Sequence, residues 1–174
     1  MLRDFGLCLF EIFCEGLMKK YIFGIFVIFL LSGCSFLPQS LNFYKPSYSQ
    51  NATEERLRSA SRKWQKTPYV LGGTSRRGAD CSGFTQTLMR EFGILLPRMT
   101  KTQMASGIKV SKTKLRAGDL VFFKTGRGPN GLHVGIYLSR NEFVHLSTKG
   151  GSKIVSLNNT YWKSRYIGAR RYMK

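Results

Sequence analysis

Hydrophobic positions first recur at helical spacing near residue 57. Leu57, Ala60 and Trp64 predict a helix whose N-terminus is capped by Asn51. The helix is expected to end before the Thr67-Pro68 pair, because the residue that precedes a proline disfavours helical backbone. This helix would bury one apolar face.

Two further helices are predicted from their end signals. Asp80 is a good N-cap for a helix over residues 81–92, and Gly93 is a good residue to end it. Thr100 is expected to cap a short helix over residues 100–105. All the predicted helices therefore lie in the first half of the folded region.

Beyond residue 107 the spacing changes to the alternation typical of strands. The predicted strands cover residues 120–124, 133–138, 142–147, 153–157 and 165–172. Helices followed by an antiparallel sheet are typical of the α+β class. The 174 residues allow one domain of ordinary size.

Residues 18–34 have the layout of a bacterial export signal. Met18-Lys19-Lys20 is basic, and the apolar run over 21–31 is shorter than the ~20 residues of a membrane span. Leu31-Ser32-Gly33-Cys34 resembles the lipobox, in which the cysteine is acylated and becomes the new N-terminus. The alternative is an ordinary signal peptide, or a buried helix, with an incidental cysteine.

The segment before Met18 does not fit an export signal, because it contains three acidic residues where a basic region is expected. We therefore expect translation to start at Met18. The predicted organisation is a leader at 1–33, of which 1–17 is an upstream mis-start, a lipid-anchored tether at 34–50, and a domain at 51–174.

The net charge of +19 comes from 28 Lys and Arg against 9 Asp and Glu. The leader 1–33 contains three basic and three acidic residues, so its removal leaves 25 against 6 and the same net charge. An exported protein does not meet the genome, and no aromatic-basic RNA-binding motif is present. Nucleic acid is therefore excluded as a partner, and polyanions of the cell envelope remain.

Cys81 is the one thiol that export would leave unaccounted for. Of the four cysteines, Cys8 and Cys14 leave with the leader and Cys34 takes the lipid. A helix N-terminus favours the thiolate, so Cys81 is a candidate nucleophile. Asp80 opposes that effect, which fits a role in capping or substrate contact. The alternative is a small buried side chain, a common role for cysteine.

The two histidines of the chain both fall in predicted strands. His133 and His145 alternate with branched apolar residues, so both point away from that apolar face. If the strands pair, the two side chains are neighbours roughly 5–8 Å apart, which suits a base and its orienting partner. The alternatives are structural or surface histidines, or a Cys-His-His zinc site, against which no close ligand pair is present.

Three motifs, in this order, resemble the NlpC family of bacterial cell-wall cysteine peptidases. They are Asp80-Cys81-Ser82-Gly83-Phe84, His133-Val134-Gly135-Ile136-Tyr137 and Phe143-Val144-His145. Further blocks at residues 68–73, 96–98 and 115–123 are also similar. The similarity runs from about residue 54 to the C-terminus, and the export signal is similar to that of the family's lipoprotein members.

This resemblance implies a papain-like α+β fold, with helices packed on an antiparallel sheet of about five strands and the nucleophile at a helix N-terminus. It also implies that Cys81 is the nucleophile, His133 the general base and acid, and His145 the group that orients His133. Tyr69 matches the tyrosine that helps to hold the oxyanion.

The remaining expectations also follow from the resemblance. Asp80 and Ser82 match positions that line the substrate cleft, and no metal or organic cofactor is needed. The expected substrate is a peptide of murein (peptidoglycan), cut either at the D-alanyl–diaminopimelyl crosslink or at the γ-D-glutamyl–diaminopimelyl bond. Alternatives are a non-catalytic wall-binding adaptor, and a thiol acyltransferase or amidase.

The expected partners are peptidoglycan peptides and, through the N-terminal lipid, a membrane; the protein is expected to be a monomer. Ser35 follows Cys34, where aspartate goes with inner-membrane retention in enteric bacteria. The expected location is therefore the outer membrane, facing the periplasm. A Gram-positive cell remains an alternative.

Overall fold

The computed structural model of the protein describes residues 49–126 and 129–174. The predicted leader, the lipobox with Cys34 and nearly all of the tether lie outside the described residues. Within the described ranges, no helix is long and apolar enough to cross a membrane.

Four helices are described, together with two short 3₁₀ turns. They are α1 (Gln50–Arg62), α2 (Cys81–Arg90), α3 (Thr100–Ala105) and α4 (Thr160–Lys163), with the turns at Lys112–Lys114 and Pro129–Gly131. Two predicted caps are wrong. Ser49 stands at the N-cap of α1, so Asn51 lies inside the helix, and Met99 stands at the N-cap of α3, so Thr100 is its first helical residue.

Six antiparallel strands form the main sheet, and two more form a small separate hairpin. The hairpin is β1 (Thr74–Ser75) and β2 (Gly78–Ala79); the sheet contains β3 (Ile108–Val110), β4 (Leu120–Lys124), β5 (Leu132–Tyr137), β6 (Glu142–Ser147), β7 (Gly151–Ser156) and β8 (Tyr166–Arg171). Their order in the main sheet is β3-β8-β4-β5-β6-β7. The predicted α+β class is confirmed.

The sheet of the described residues has one strand more than the five predicted. The additional strand is β3, which pairs with β8 at one edge. Ile108 and Lys109 are exposed and only Val110 is buried. Three residues with a single buried position give no readable alternation, so sequence pattern alone does not indicate this strand.

Helix α2 packs against β5 and β6 on one face of the sheet. Apolar side chains from both layers form this core, namely Phe84, Leu88, Val134, Ile136, Val144 and Leu146. The opposite face is also buried, by a second cluster that includes Phe123, Phe143 and Leu157, with Trp162 packed against it. The two histidines lie on this second face, so they are buried rather than open to water.

Candidate active site

The nucleophile candidate is held at the first turn of α2 by a side-chain cap. Asp80 has extended backbone, and its carboxylate accepts a hydrogen bond from the Gly83 N–H at 2.8 Å. Cys81 is therefore the first helical residue, and it is buried, with 3% of its surface exposed. A side chain at Gly83 would meet the Gly73 carbonyl oxygen at 2.1 Å, so only glycine allows the helix to approach this loop.

Asp80 also ties this helix start to two loops. Arg98 donates to both carboxylate oxygens, at 2.9 Å and 2.6 Å, and the Gly72 N–H donates at 2.8 Å. Burial alone would raise the pKa of Asp80, but the hydrogen bonds from Arg98, Gly83 and Gly72 bring it below its ordinary value. The carboxylate is therefore ionised at neutral pH and fully engaged with protein donors.

Ser82 takes part in the same network. Its hydroxyl donates to Asp80 at 3.1 Å and accepts from Arg98 at 3.0 Å. Asp80 and Ser82 both border the cavity that contains Cys81. Their predicted contact with substrate stays a prediction, and the hydrogen bonds give both residues a clear role in holding the cavity wall.

Two hydroxyl groups lie near the thiol. The Tyr69 hydroxyl donates toward Cys81 Sγ at 3.8 Å, and Thr100 Oγ1 lies 3.6 Å from the same sulfur. Burial, and then the neighbouring Cys81, raise the pKa of Tyr69 well above its ordinary value. Tyr69 therefore keeps its proton and remains a hydrogen-bond donor at any physiological pH.

The two histidines face each other across β5 and β6. His133 Nε2 and His145 Nδ1 are 2.9 Å apart, and the ring centroids are separated by 5.0 Å. The predicted neighbour relation between the two side chains is thus present. Burial lowers the pKa of both imidazoles, and for His133 the second cause is the nearby His145. Both rings are neutral near pH 7.

Trp162 from α4 closes one side of the histidine pair. Its ring centroid lies 5.5 Å from that of His133 and 4.8 Å from that of His145. The tryptophan is also in edge contact with Phe143 and Phe123 of the second core. The histidine side chains are therefore held by packing as well as by their mutual hydrogen bond.

Two adjoining cavities meet at Tyr69. One, of about 250 Å³, is lined by Cys81 with Asp80 and Ser82, and the other, of about 180 Å³, is lined by His133 and His145. Tyr69 borders both cavities. All six site residues predicted within the domain therefore line this pair of cavities, while Cys34 lies outside the described residues.

Three residues without a predicted site role also belong here: Arg98, Thr100 and Trp162. Arg98 is 18 positions from Asp80, a spacing that no local rule relates to an ion pair. Thr100 is predicted only as a helix cap. Trp162, in helix α4, falls within the predicted family similarity but has no predicted site role. In the part of the chain that the structure describes, no three His, Cys, Asp or Glu side chains are grouped so as to hold a metal ion.

A helix-borne cysteine and two paired strand histidines, in cavities that share Tyr69 on an α+β fold, define the class of site. The sequence model of the NlpC/P60 family matches residues 66–171, and this chain belongs to that family. A second sequence model, that of the prokaryotic membrane lipoprotein lipid attachment site, matches residues 18–35.

Individual relatives agree with this assignment. A protein of Haemophilus influenzae named "Probable endopeptidase" is 52% identical over 116 residues, which are 66% of this chain and 72% of that protein. The Escherichia coli K12 "Murein DD-endopeptidase MepS/Murein LD-carboxypeptidase" is 47% identical over 121 residues, 69% of this chain and 63% of that one.

The fold is also similar to that of solved structures. A crystal structure of a Bacillus cereus NlpC/P60 family protein superposes with a TM-score of 0.62 at 34% sequence identity. The alignment covers 72% of this chain but only 43% of the Bacillus protein. This chain therefore corresponds to less than half of that longer molecule.

Proposed function

We propose that this protein is a lipid-anchored peptidoglycan endopeptidase that cleaves peptides by a Cys-His-His thiol mechanism. The observation that carries the proposal is a buried thiol at a helix N-terminus, in a cavity that shares Tyr69 with a cavity containing two hydrogen-bonded histidines. The names of the endopeptidase relatives support peptidoglycan as the substrate.

The proposed first step is a proton transfer from Cys81 to His133. The 2.9 Å contact can hold the Nε2–H of His133 as donor to His145 Nδ1. In that tautomer the other nitrogen of His133, Nδ1, carries a lone pair and can accept the thiol proton. The resulting thiolate attacks the carbonyl carbon of the scissile peptide bond, and the carbonyl π electrons move to oxygen.

The negative charge that forms on that oxygen needs hydrogen-bond donors. The Cys81 N–H at the start of α2 and the Tyr69 hydroxyl are the donors we assign to it. Because its raised pKa keeps Tyr69 protonated, the tyrosine can donate to an oxyanion without ionising itself. The tetrahedral intermediate would therefore be stabilised from two sides.

The intermediate then collapses with loss of the amine. His133 gives its proton to the leaving nitrogen, the C–N bond breaks, and an acyl thioester remains on Cys81. Water, deprotonated by His133, attacks this thioester, which releases a carboxylic acid and restores the thiol. Neutral His133 serves as base in both halves of the reaction.

The D-alanyl–diaminopimelyl crosslink is the bond that we propose the protein cleaves, because the similar E. coli protein is named a murein DD-endopeptidase.

Lipid attachment at Cys34 would hold the domain at the envelope. The match of residues 18–35 to a lipid attachment site supports this lipidation. We place the anchor in the outer membrane because Ser35 follows Cys34. A Cys34→Ser precursor should leave the membrane fraction; continued sedimentation with membranes would contradict lipidation.

The proposed activity is tested by digesting crosslinked muropeptides with the wild-type chain and with Cys81→Ala and Cys81→Ser. We expect the wild type to convert dimers to monomers, as seen by mass spectrometry, and both variants to lose at least about a thousandfold in rate. Cys81→Ser keeps the size of the side chain and controls for packing, and circular dichroism checks that all three proteins are folded.

Two outcomes would favour the alternatives. Dimers left uncut by both the wild type and Cys81→Ala would favour a wall-binding adaptor that does not cut. A product that carries an added amine in place of water would indicate an acyltransferase. Retained cleavage by Cys81→Ala at the wild-type rate would remove the cysteine from the mechanism.

A further inference from the structure

The proposed mechanism assigns the two halves of the substrate to the two cavities. In the proposed mechanism the acyl half becomes attached to Cys81, whereas the leaving amine takes its proton from His133. The acyl half therefore occupies the cavity lined by Cys81, and the leaving half lies toward the cavity lined by the histidines. The charges of the first cavity then determine which acyl groups it accepts.

Most of the charge in the Cys81 cavity is internally compensated. Asp80 accepts two hydrogen bonds from Arg98, and its side chain is only 9% exposed. The remaining acceptor capacity of Asp80 is used by backbone N–H groups and by the Ser82 hydroxyl. The Asp80–Arg98 pair therefore adds little net charge to the cavity.

Lys101 provides a positive charge that is not compensated in this way. It lines the same cavity and is exposed. The ion pairs within residues 49–126 and 129–174 all use arginines, namely Arg58, Arg98 and Arg171. The other side chains in its neighbourhood, including Tyr69, Met99 and Asn130, are neutral. An anionic group that enters the cavity would meet the Lys101 ammonium group.

We propose that Lys101 binds a carboxylate on the acyl half of the substrate and thereby selects stem peptides whose carboxyl groups are free. The inference rests on the proposed function and adds a specificity determinant to it. Murein stems carry free carboxylates on their glutamyl and diaminopimelyl residues, close to the bonds that a stem or crosslink peptidase cuts. Amidation would remove the charge and leave the shape nearly unchanged.

The test measures binding, so that it does not depend on turnover. The probe is the tetrapeptide L-Ala-γ-D-Glu-diaminopimelyl-D-Ala, with its glutamyl and diaminopimelyl side carboxylates either free or converted to carboxamides. Isothermal titration compares Cys81→Ala with Cys81→Ala/Lys101→Ala. We expect the free acid to bind about 3- to 10-fold more tightly than the amide, and Lys101→Ala to remove most of that ratio.

Two matched variants complete the design. Lys101→Arg keeps the charge and should keep the preference for the free acid. Lys109→Ala removes an exposed lysine on strand β3, which does not line the cavity, and should leave the preference as it is. Lys101→Glu should reverse the preference, because it places a negative charge opposite the carboxylate.

The inference would be overturned if the free acid and the amide bound equally, or if Lys101→Ala left their ratio unchanged. Kinetics with wild-type Cys81 separate this failure from failure of the proposed function. The kinetic substrates are D-alanyl–diaminopimelyl crosslinked dimers of the same peptide, with the carboxylates free or amidated. Cleavage of both dimers at equal kcat/KM refutes the role of Lys101 and keeps the peptidase. Selective binding through Lys101 without any cleavage keeps the carboxylate site and refutes the peptidase.

Discussion

The pKa and the orientation of His133 depend on its neighbour His145. His133 sits between the ring of Trp162 and the Nδ1 atom of His145. Its low pKa is caused first by burial and second by His145. A buried imidazole that stays neutral can accept a proton from the thiol over a wider acid range than a solvated one.

Replacing each histidine should therefore have a different effect. His133→Ala removes the base, and we expect kcat/KM to fall by about 10³-fold or more. His145→Gln keeps a hydrogen-bond partner for His133 and should lose only about 10- to 100-fold. The measurement is kcat/KM for muropeptide cleavage as a function of pH.

The pH profile separates positioning from mere structural support. Without His145, the electrostatic cause that lowers the pKa of His133 is gone, so the acid limb of kcat/KM should move to higher pH. If His145 had only a structural role, its replacement would lower kcat/KM but leave the acid limb of the pH profile at the same pH. Full activity of His133→Ala would be incompatible with its assignment as the base.

At the scale of elements, the start of α2 is held by one carboxylate that joins three parts of the chain. Asp80 caps the helix, accepts from the loop at Gly72 and pairs with Arg98. By contrast, Asn159 caps helix α4 by accepting one hydrogen bond from the Tyr161 N–H. The two caps therefore offer a matched comparison between a buried network and an isolated cap.

We expect Asp80→Ala to lower the free energy of unfolding by about 2–4 kcal/mol, because it removes a cap and leaves Arg98 without its partner. Asn159→Ala should cost only about 1 kcal/mol. Urea denaturation of both variants measures the difference. Equal losses for the two variants would mean that the ion pair with Arg98 adds nothing to the cap.

Elements with strong local signals were predictable from sequence, and short or long-range features were not. The Asp80 cap, α2 and the paired strands of His133 and His145 follow from capping chemistry and alternation. β3 did not, because it has one buried position. Arg98 was missed as a partner of Asp80, since that contact depends on tertiary packing and not on spacing.

At the scale of the whole molecule, the excess of positive charge has few acidic partners. Residues 34–174 contain six Asp and Glu, all within the described ranges, and four of them, at positions 54, 80, 119 and 142, are paired with arginines. Most lysines and arginines are therefore available to an external polyanion. Peptidoglycan, with its free carboxylates, is such a polyanion.

Binding of Cys81→Ala to isolated peptidoglycan sacculi should consequently weaken as salt rises. We expect the bound fraction, measured by cosedimentation, to fall severalfold between 50 and 300 mM NaCl, because exposed charges are screened over roughly 10 Å at 0.1 M salt. Amidated sacculi provide the control and should bind weakly at every salt concentration. Binding that is independent of salt would exclude charge as the main attraction.

The buried histidines also couple stability to pH. Burial lowers the pKa of both His133 and His145 in the folded state, so between their folded values and 6.5 the unfolded chain binds more protons. Stability is therefore fully present above pH 6.5 and falls as the pH drops below it. Asp80 and Glu54 also have lowered pKa values, but their effect begins only below about pH 4.5.

The window from pH 6.5 to pH 5 thus isolates the histidines. As the pH falls from 6.5 to 5, each buried neutral histidine should lower the free energy of unfolding by about 1.5 kcal/mol. The pair should therefore lower it by about 3 kcal/mol. His145→Gln should halve the loss, as measured by urea denaturation at several pH values. An unchanged pH dependence in this variant would mean that His145 has the same pKa in the folded and the unfolded chain, so that burial does not hold it neutral.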